Sequence, residues 1–324
     1  MIEADASRPV NAGHIRLASL VGTTVEFYDF YIFATAATQL FGPLFFSPSS
    51  PSDQLLAAYG TFGIAFFARP LGGAIFGHFG DRIGRKTTLV VSLLLMGGPT
   101  AATGFLPTYA TIGWLAPVML CVLRFGQGLA IGGEWTGAAL MAVENAPPGW
   151  RGRFGMFAPL GVPCGYILAN GLFLVLNLNL SPEHFRSWGW RIPFIATVPL
   201  VWLGIWVRTH LSETAIFAAA MAKAKPARVP LAEVLRGHVG QVLVGAFGAV
   251  ACFAIYYLAT AFALGYGTSH GGFSLNAFLL AELGAHVFMV VGVLTAGWVS
   301  DRSTPVRALT FGCLRPQQSA ASPT

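Results

Sequence analysis

Residues 77–86 read Gly77-His78-Phe79-Gly80-Asp81-Arg82-Ile83-Gly84-Arg85-Lys86, a polar ten-residue stretch between two long apolar runs. A tight turn between two helices needs glycines, for positive φ and for close backbone approach. Asp81 beside Arg82, Arg85 and Lys86 makes a charge cluster at the helix ends. An ordinary basic loop accounts for the cations alone, but it does not require the Gly/Asp/Gly spacing. A weaker copy follows 220 positions later, as Gly297-Trp298-Val299-Ser300-Asp301-Arg302. The first copy follows the second apolar run and the second copy follows the eighth. A loop repeated at that interval implies a unit of six spans, duplicated in parallel.

Composition agrees with spans rather than with a soluble core. The chain has 324 residues, of which 55% are hydrophobic and only 10% charged, against about 25% charged in soluble domains. Phe alone numbers 26, and mean hydropathy is +0.64. Disorder is excluded by the apolar content, and a collagen-like structure by the lack of a triplet glycine period. What remains is an all-α membrane protein, because no window alternates as a barrel strand does.

A bilayer crossing takes about 20 apolar residues. Eight such runs are expected at 17–41, 57–79, 87–106, 112–143, 154–176, 192–207, 239–257 and 278–299. The expected division is a cytoplasmic tail 1–16, a six-helix half 17–208, a linker 209–238, a partial second half 239–302 and a polar tail 303–324. No cleavable signal precedes the first run, so that run serves as its own insertion signal. Basic residues set the orientation. With the N-terminus in the cytoplasm, 15 of the 19 Lys and Arg fall on the cytoplasmic side. Arg186 and Arg191 fall outside, and Arg69 and Arg124 fall within spans. This is the positive-inside pattern of a multi-pass plasma or inner membrane protein.

The net charge of +6 does not indicate nucleic acid, since the basic residues sit in short loops with no basic helix face. Cys121, Cys164, Cys252 and Cys313 form no CxxC pair, so neither a metal site nor a disulfide framework is expected. No cofactor is expected. GxSxG, HExxH and Walker sequences are absent, and an enzyme is not expected.

An ionisable group inside a span is costly, and it usually faces a cavity or a partner. Glu26 and Asp29 are three residues apart on one helix face. They suit a proton carrier, or else they anchor the first span to a neighbour. Arg124 and Glu134 lie about 15 Å apart along one helix, so each needs a partner elsewhere. For Arg124 that is a substrate carboxylate, Glu26 or Asp29, or a purely structural ion pair. Arg69 either contacts the cavity or, the preferred reading, snorkels toward the cytoplasmic interface. Glu282 and His286, four apart in the eighth span, have the chemistry of a proton relay. Tyr28, Tyr31 and Trp135 are candidates for cavity walls or for packing. The pairs Gly73/Gly77, Gly128/Gly132, Gly133/Gly137 and Gly161/Gly165 predict close helix packing.

The loop Gly77–Lys86 resembles the signature loop of the major facilitator superfamily. Glu26-Phe-Tyr-Asp29-Phe-Tyr and Arg124-Phe-Gly-Gln127-Gly128, with Gly132-Gly133-Glu134 beyond it, resemble the metabolite:proton symporter branch. Transporters for shikimate, α-ketoglutarate, citrate and proline/betaine belong to that branch. The resemblance implies the facilitator fold, with the first six-helix half complete and two helices of the second, about eight in all. It implies proton-coupled symport of a small polar metabolite, an organic acid or a zwitterion, by alternating access. Glu26 and Asp29 would carry or gate the proton, Arg124 would hold an anionic group or a carboxylate partner, and the Asp81 loop would latch the cytoplasmic gate. The partners implied are the substrate, protons and membrane lipid.

The family has twelve spans, whereas this sequence runs from Asp301-Arg302 into Ser303-Thr304-Pro305-Val306-Arg307 with no ninth span. A truncated family member is the expectation. The alternative to autonomous transport is a non-transporting remnant, or a structural subunit that needs a partner chain.

Overall fold

The computed structural model describes residues 12–47, 50–83, 85–132, 142–209, 237 and 239–303. Eight principal helices carry the fold: α1 (Ala12–Ala36), α2 (Pro51–Ile83), α3 (Arg85–Thr103), α4 (Leu115–Ile131), α5 (Phe157–Asn179), α6 (Thr197–Thr209), α7 (Val239–Tyr257) and α8 (Leu275–Arg302). No strand occurs among the described residues. Each helix falls on one of the eight apolar runs of the sequence. Four helical stretches, Ser52–Gly80, Arg151–Asn179, Pro182–Thr209 and Leu275–Arg302, are long and apolar enough to cross a membrane, and Thr87–Thr103 and Leu115–Ile131 are shorter apolar helices. The linker residues 210–236 and the tail 304–324 lie outside the described residues.

Local chemistry starts and extends these helices. Ser50 precedes Pro51, whose fixed φ and missing N–H suit a first helical position. The Ser50 hydroxyl accepts from the Asp53 backbone N–H at 3.2 Å and donates to the Asp53 carboxylate at 2.7 Å, a reciprocal cap. Ser274 caps α8 by accepting from Ala277 N–H at 3.3 Å. α1 passes into a π-helical turn at Ala37–Phe41, and α7 passes into one at Leu258–Phe262.

The polar stretch after the second apolar run is more helical than expected. α2 continues through Gly77, Asp81 and Arg82 to Ile83, and α3 begins at Arg85. At about 1.5 Å per residue, 33 residues reach about 50 Å. The hydrocarbon core is about 30 Å thick, so the charged end of α2 projects beyond it as helix. The turn expected over 77–86 is therefore helix at 77–83 and from 85 on, and position 84 lies outside the described residues. The side chains of Asp81, Arg82, Arg85 and Lys86 also lie outside them.

Packing follows the small residues. α4 lies against α2 so closely that a Cβ on Gly128 would stand 2.3 Å from the Ala65 carbonyl oxygen, and one on Gly132 would stand 2.0 Å from that of Arg69. α5 crosses α1 in the same manner, with a Cβ on Gly165 falling 2.7 Å from the Tyr28 nitrogen. The Gly128/Gly132 and Gly161/Gly165 pairs thus serve close packing. Gly77 meets nothing, and Gly133/Gly137 lie outside the described residues. α3 and α6 pack on each other and on α4 and α1, which closes a six-helix body.

The α1–α6 body meets the last two helices along α5 and α8. Leu279, Glu282, His286 and Gly297 are the buried residues of α8, and they fall on one stripe. Leu280, Val287, Phe288, Val291 and Leu294 are exposed, as an apolar face toward lipid requires. Phe288 is 79% exposed and Phe67 on α2 is 84% exposed. Water would penalise such surfaces.

Candidate functional site

At the centre of the six-helix body, three helices bring opposite charges together. Asp29 on α1 is fully buried and Arg124 on α4 is 2% exposed. Arg124 Nη1 lies 3.5 Å from Asp29 Oδ2. Gln127, one turn after Arg124, accepts from Arg124 Nη1 through Oε1 at 2.9 Å and donates from Nε2 to Asp29 Oδ1 at 3.0 Å. Thr100 on α3 donates to the same carboxylate oxygen. The Gln127 amide also donates to the Thr100 hydroxyl at 2.6 Å. The ring of Phe33 faces the Arg124 guanidinium at 3.4 Å, and Phe62 lies at 5.4 Å. Arg124 Nε makes no hydrogen bond among the described residues.

This arrangement selects among the readings left open for Arg124: its partner here is Asp29. A buried charge pair is tolerable when hydrogen bonds support it; Gln127 and Thr100 serve Asp29 Oδ1 and Arg124 Nη1, while Asp29 Oδ2 has only its ion pair with Arg124. Neither residue is among the site candidates drawn from the sequence. Gln127 had a signal, its i+3 spacing from Arg124, whereas Thr100 in an apolar run had none. Glu26 is buried one turn before Asp29, at 6% exposed. Glu134 and Trp135 lie outside the described residues.

Arg69 departs from the interface placement preferred for it and reaches a wall residue of a cavity instead. Its guanidinium does not run to the interface but lies over the rings of Phe66 at 4.4 Å and Phe30 at 6.0 Å, with Nη1 3.5 Å from the Tyr257 hydroxyl. Cation–π contact inside an aromatic cluster replaces the aqueous contact that snorkelling would give. Tyr28 donates to the Pro193 carbonyl at 2.7 Å, so its role is packing. An apolar cavity of about 440 Å³ lies between α1, α2 and α7, lined by Ala34, Phe62, Ala254, Tyr257 and their neighbours. Phe62 is both a wall of this cavity and a cover over Arg124.

The antiparallel seam between α5 and α8 carries polar contacts along its whole length. At one end Asn177 donates to Asn276 at 2.7 Å. In the middle Tyr166 donates to Glu282. At the other end Asp301 accepts the backbone N–H of Gly152 at 2.6 Å and of Arg153 at 3.1 Å, and pairs with Arg153 Nε at 3.4 Å. Gly297 and Gly152 make that end possible, since a Cβ on Gly152 would fall 2.6 Å from the Gly297 carbonyl oxygen. Arg302 stacks on Trp298 at 3.8 Å. The second-half loop therefore closes on the start of the helical stretch that becomes α5. The expected latch through Asp81 falls on side chains outside the described residues.

Known proteins place this architecture. The family model described as "Sugar (and other) transporter" matches residues 15–242. The inner membrane metabolite transport protein YhjE of Escherichia coli (strain K12) is 45% identical over 298 residues, covering 90% of this chain and 68% of that protein. The shikimate transporter of the same organism is 40% identical over 301 residues, with 92% and 68% covered. The chain thus spans about two thirds of the length of these relatives. The proton:xylose symporter XylE superposes with a TM-score of 0.69 at 14% identity, over 89% of this chain and 69% of that one; this likeness shows the fold. A metabolite transporter rather than an enzyme is what these relatives describe, and the chain belongs to the sugar (and other) transporter family of the major facilitator superfamily.

Proposed function

We propose that this transporter works by proton-coupled symport of a small polar metabolite, an organic acid or zwitterion, and that Asp29 and Arg124 form its coupling centre. The carrying observation is the closed Asp29–Arg124–Gln127–Thr100 cluster. Inside the membrane a lone guanidinium is costly, so Arg124 needs an anion beside it in every state. Asp29 supplies that anion while ionised. A proton on Asp29 removes it and leaves the guanidinium for a substrate carboxylate, which binds it through paired N–H donors. Proton and carboxylate therefore arrive together, and neither is favourable alone. Phe62, between Arg124 and the apolar cavity, is the side chain whose rotation would expose the guanidinium.

Alternating access belongs to the same proposal: the 17–208 half rocks against the 239–302 portion about the α5–α8 seam, joined by the 209–238 linker. The Asp301–Gly152–Arg153 contact is its latch, and a cytoplasmic N-terminus puts that latch on the inner face. The test is uptake of radiolabelled shikimate, proline and betaine, compounds named for its relatives, into proteoliposomes. Uptake that follows an inward proton gradient and collapses with a protonophore supports symport. Equal uptake with and without the gradient contradicts it.

A further inference from the structure

The Glu282 cluster is separate from the Asp29–Arg124 centre and differs from it in kind. Glu282 is 7% exposed on the buried stripe of α8. Tyr166 of α5 donates to its Oε2, while Oε1 has no hydrogen-bond partner among the described residues. The ionisable groups gathered here are Tyr166 from α5, Tyr31 from α1, Tyr256 from α7 and His286 from α8 itself.

Their hydrogen-bond directions can be read. The His286 Nδ1 faces the Glu282 backbone carbonyl at 2.8 Å. A carbonyl only accepts, so Nδ1 carries a hydrogen. Its Nε2 lies 3.3 Å from the Tyr256 hydroxyl, and Tyr256 is bonded in turn to Tyr31. A neutral imidazole accepting from Tyr256, with Tyr31 donating to Tyr256, satisfies the whole chain without a charge. The imidazole also stacks flat on Tyr166, at 3.6 Å between centroids and 8° between planes, which leaves no room for a solute between them. Arg69 reaches Tyr257 rather than this cluster.

Asp29 has an arginine and two donors, whereas Glu282 has, among the described residues, one phenol and no cation. An ionised carboxylate buried with so little compensation is far less favourable than the neutral acid. We propose that Glu282 is a second proton-binding site, set in the seam between the two parts of the fold, which holds its proton while α8 is closed on α5 and loses it when they part. On opening, the Glu282 O–H bond breaks, its electron pair stays on the carboxylate, and the proton passes to water entering the seam. Closure takes a proton back. Asn177–Asn276 and Asp301–Gly152 hold the same seam at its two ends, and the Asp301 carboxylate, unlike that of Glu282, has two backbone N–H donors and the Arg153 guanidinium beside it. The site thus ties bulk proton concentration to the closing of the halves, independently of substrate.

The test is difference infrared spectroscopy on the reconstituted protein after a pH jump, with the wild type, Glu282→Gln, Asp29→Asn and Tyr166→Phe. The wild type is expected to show a protonated-carboxyl C=O band that Glu282→Gln loses and Asp29→Asn retains. Tyr166→Phe, which keeps the ring and drops the donor, is expected to shift that band upward. This serves as an independent check should Glu282→Gln fail to fold. Spin labels at Leu178 and Phe273, both exposed near the Asn177–Asn276 end, should move apart as the band disappears, and should stay at their low-pH distance in Glu282→Gln. An unchanged carboxyl region in Glu282→Gln, an unshifted band in Tyr166→Phe, or the same pH-dependent separation in Glu282→Gln overturns the proposal. Loss of the band in Asp29→Asn, with Glu282→Gln unaffected, would assign the proton to the coupling centre alone.

Discussion

Arg124 and Asp29 face each other at 3.5 Å across the α4–α1 contact, with both side chains shut away from solvent and Gln127 bonded to both. The first charge is the one charged residue of Leu115–Ile131. The second is one of two, with Glu26, in the apolar run 17–41. Each residue makes the other tolerable.

Removing one member leaves the other as an uncompensated buried charge. Arg124→Gln or Asp29→Asn alone should each destabilise the protein by about 3–5 kcal/mol. The double variant should recover more than half of the loss, because no charge is stranded. Thermal unfolding in detergent for the two singles and the double, read as a double-mutant cycle, checks this. Additive losses would show that the pair is not coupled.

The α2–α4 packing leaves no space for a side chain at Gly72, where a Cβ would stand 1.9 Å from the Leu129 carbonyl oxygen. Gly72→Ala should cost about 1–3 kcal/mol through a forced helix shift. Gly60→Ala, on the same helix with nothing within 4 Å, should be neutral or stabilising. The two midpoints, measured side by side, decide the matter.

Asp301 holds backbone N–H groups at a helix start, a stronger contact than its partly exposed pair with Arg153. Asp301→Ala should therefore loosen the seam at this end, and Arg153→Ala should do so weakly, by about 0–1 kcal/mol. In a background lacking the native cysteines, a Met156→Cys probe should react several-fold faster with a water-soluble maleimide in Asp301→Ala. Unchanged labelling would remove the latch.

Charge placement predicts sidedness. Arg186→Cys should label from outside intact cells, and Arg302→Cys only after permeabilisation. The reverse pattern would invert the orientation drawn from the basic residues.

Much of the fold was legible because lipid imposes length. Among the described residues each of the eight apolar runs holds a helix, and the Gly128/Gly132 and Gly161/Gly165 spacings became close crossings. What failed to read through was polar extension and inward packing. The Gly77–Lys86 stretch looked like a turn because its residues are polar and glycine-rich, yet helix persists to Ile83 where no apolar contact is required of it. Arg69 looked like an interface residue by its depth along α2. Its direction was set instead by Phe30, Phe66 and Tyr257, which come from three different parts of the sequence. The site was legible in its charges, Asp29 and Arg124, and illegible in Thr100, Tyr166 and Tyr256. A hydroxyl in an apolar run carries no mark of the carboxylate or phenol it will meet.

The most direct measurement of the coupling centre compares wild type with Asp29→Asn in proteoliposomes, using a radiolabelled substrate found by the uptake screen. Two quantities are read: accumulation driven by a proton gradient, and gradient-free exchange of labelled for unlabelled substrate. Asp29→Asn mimics the protonated carboxyl, so the account predicts that exchange survives while gradient-driven accumulation is lost. Accumulation by Asp29→Asn at the wild-type level would contradict it.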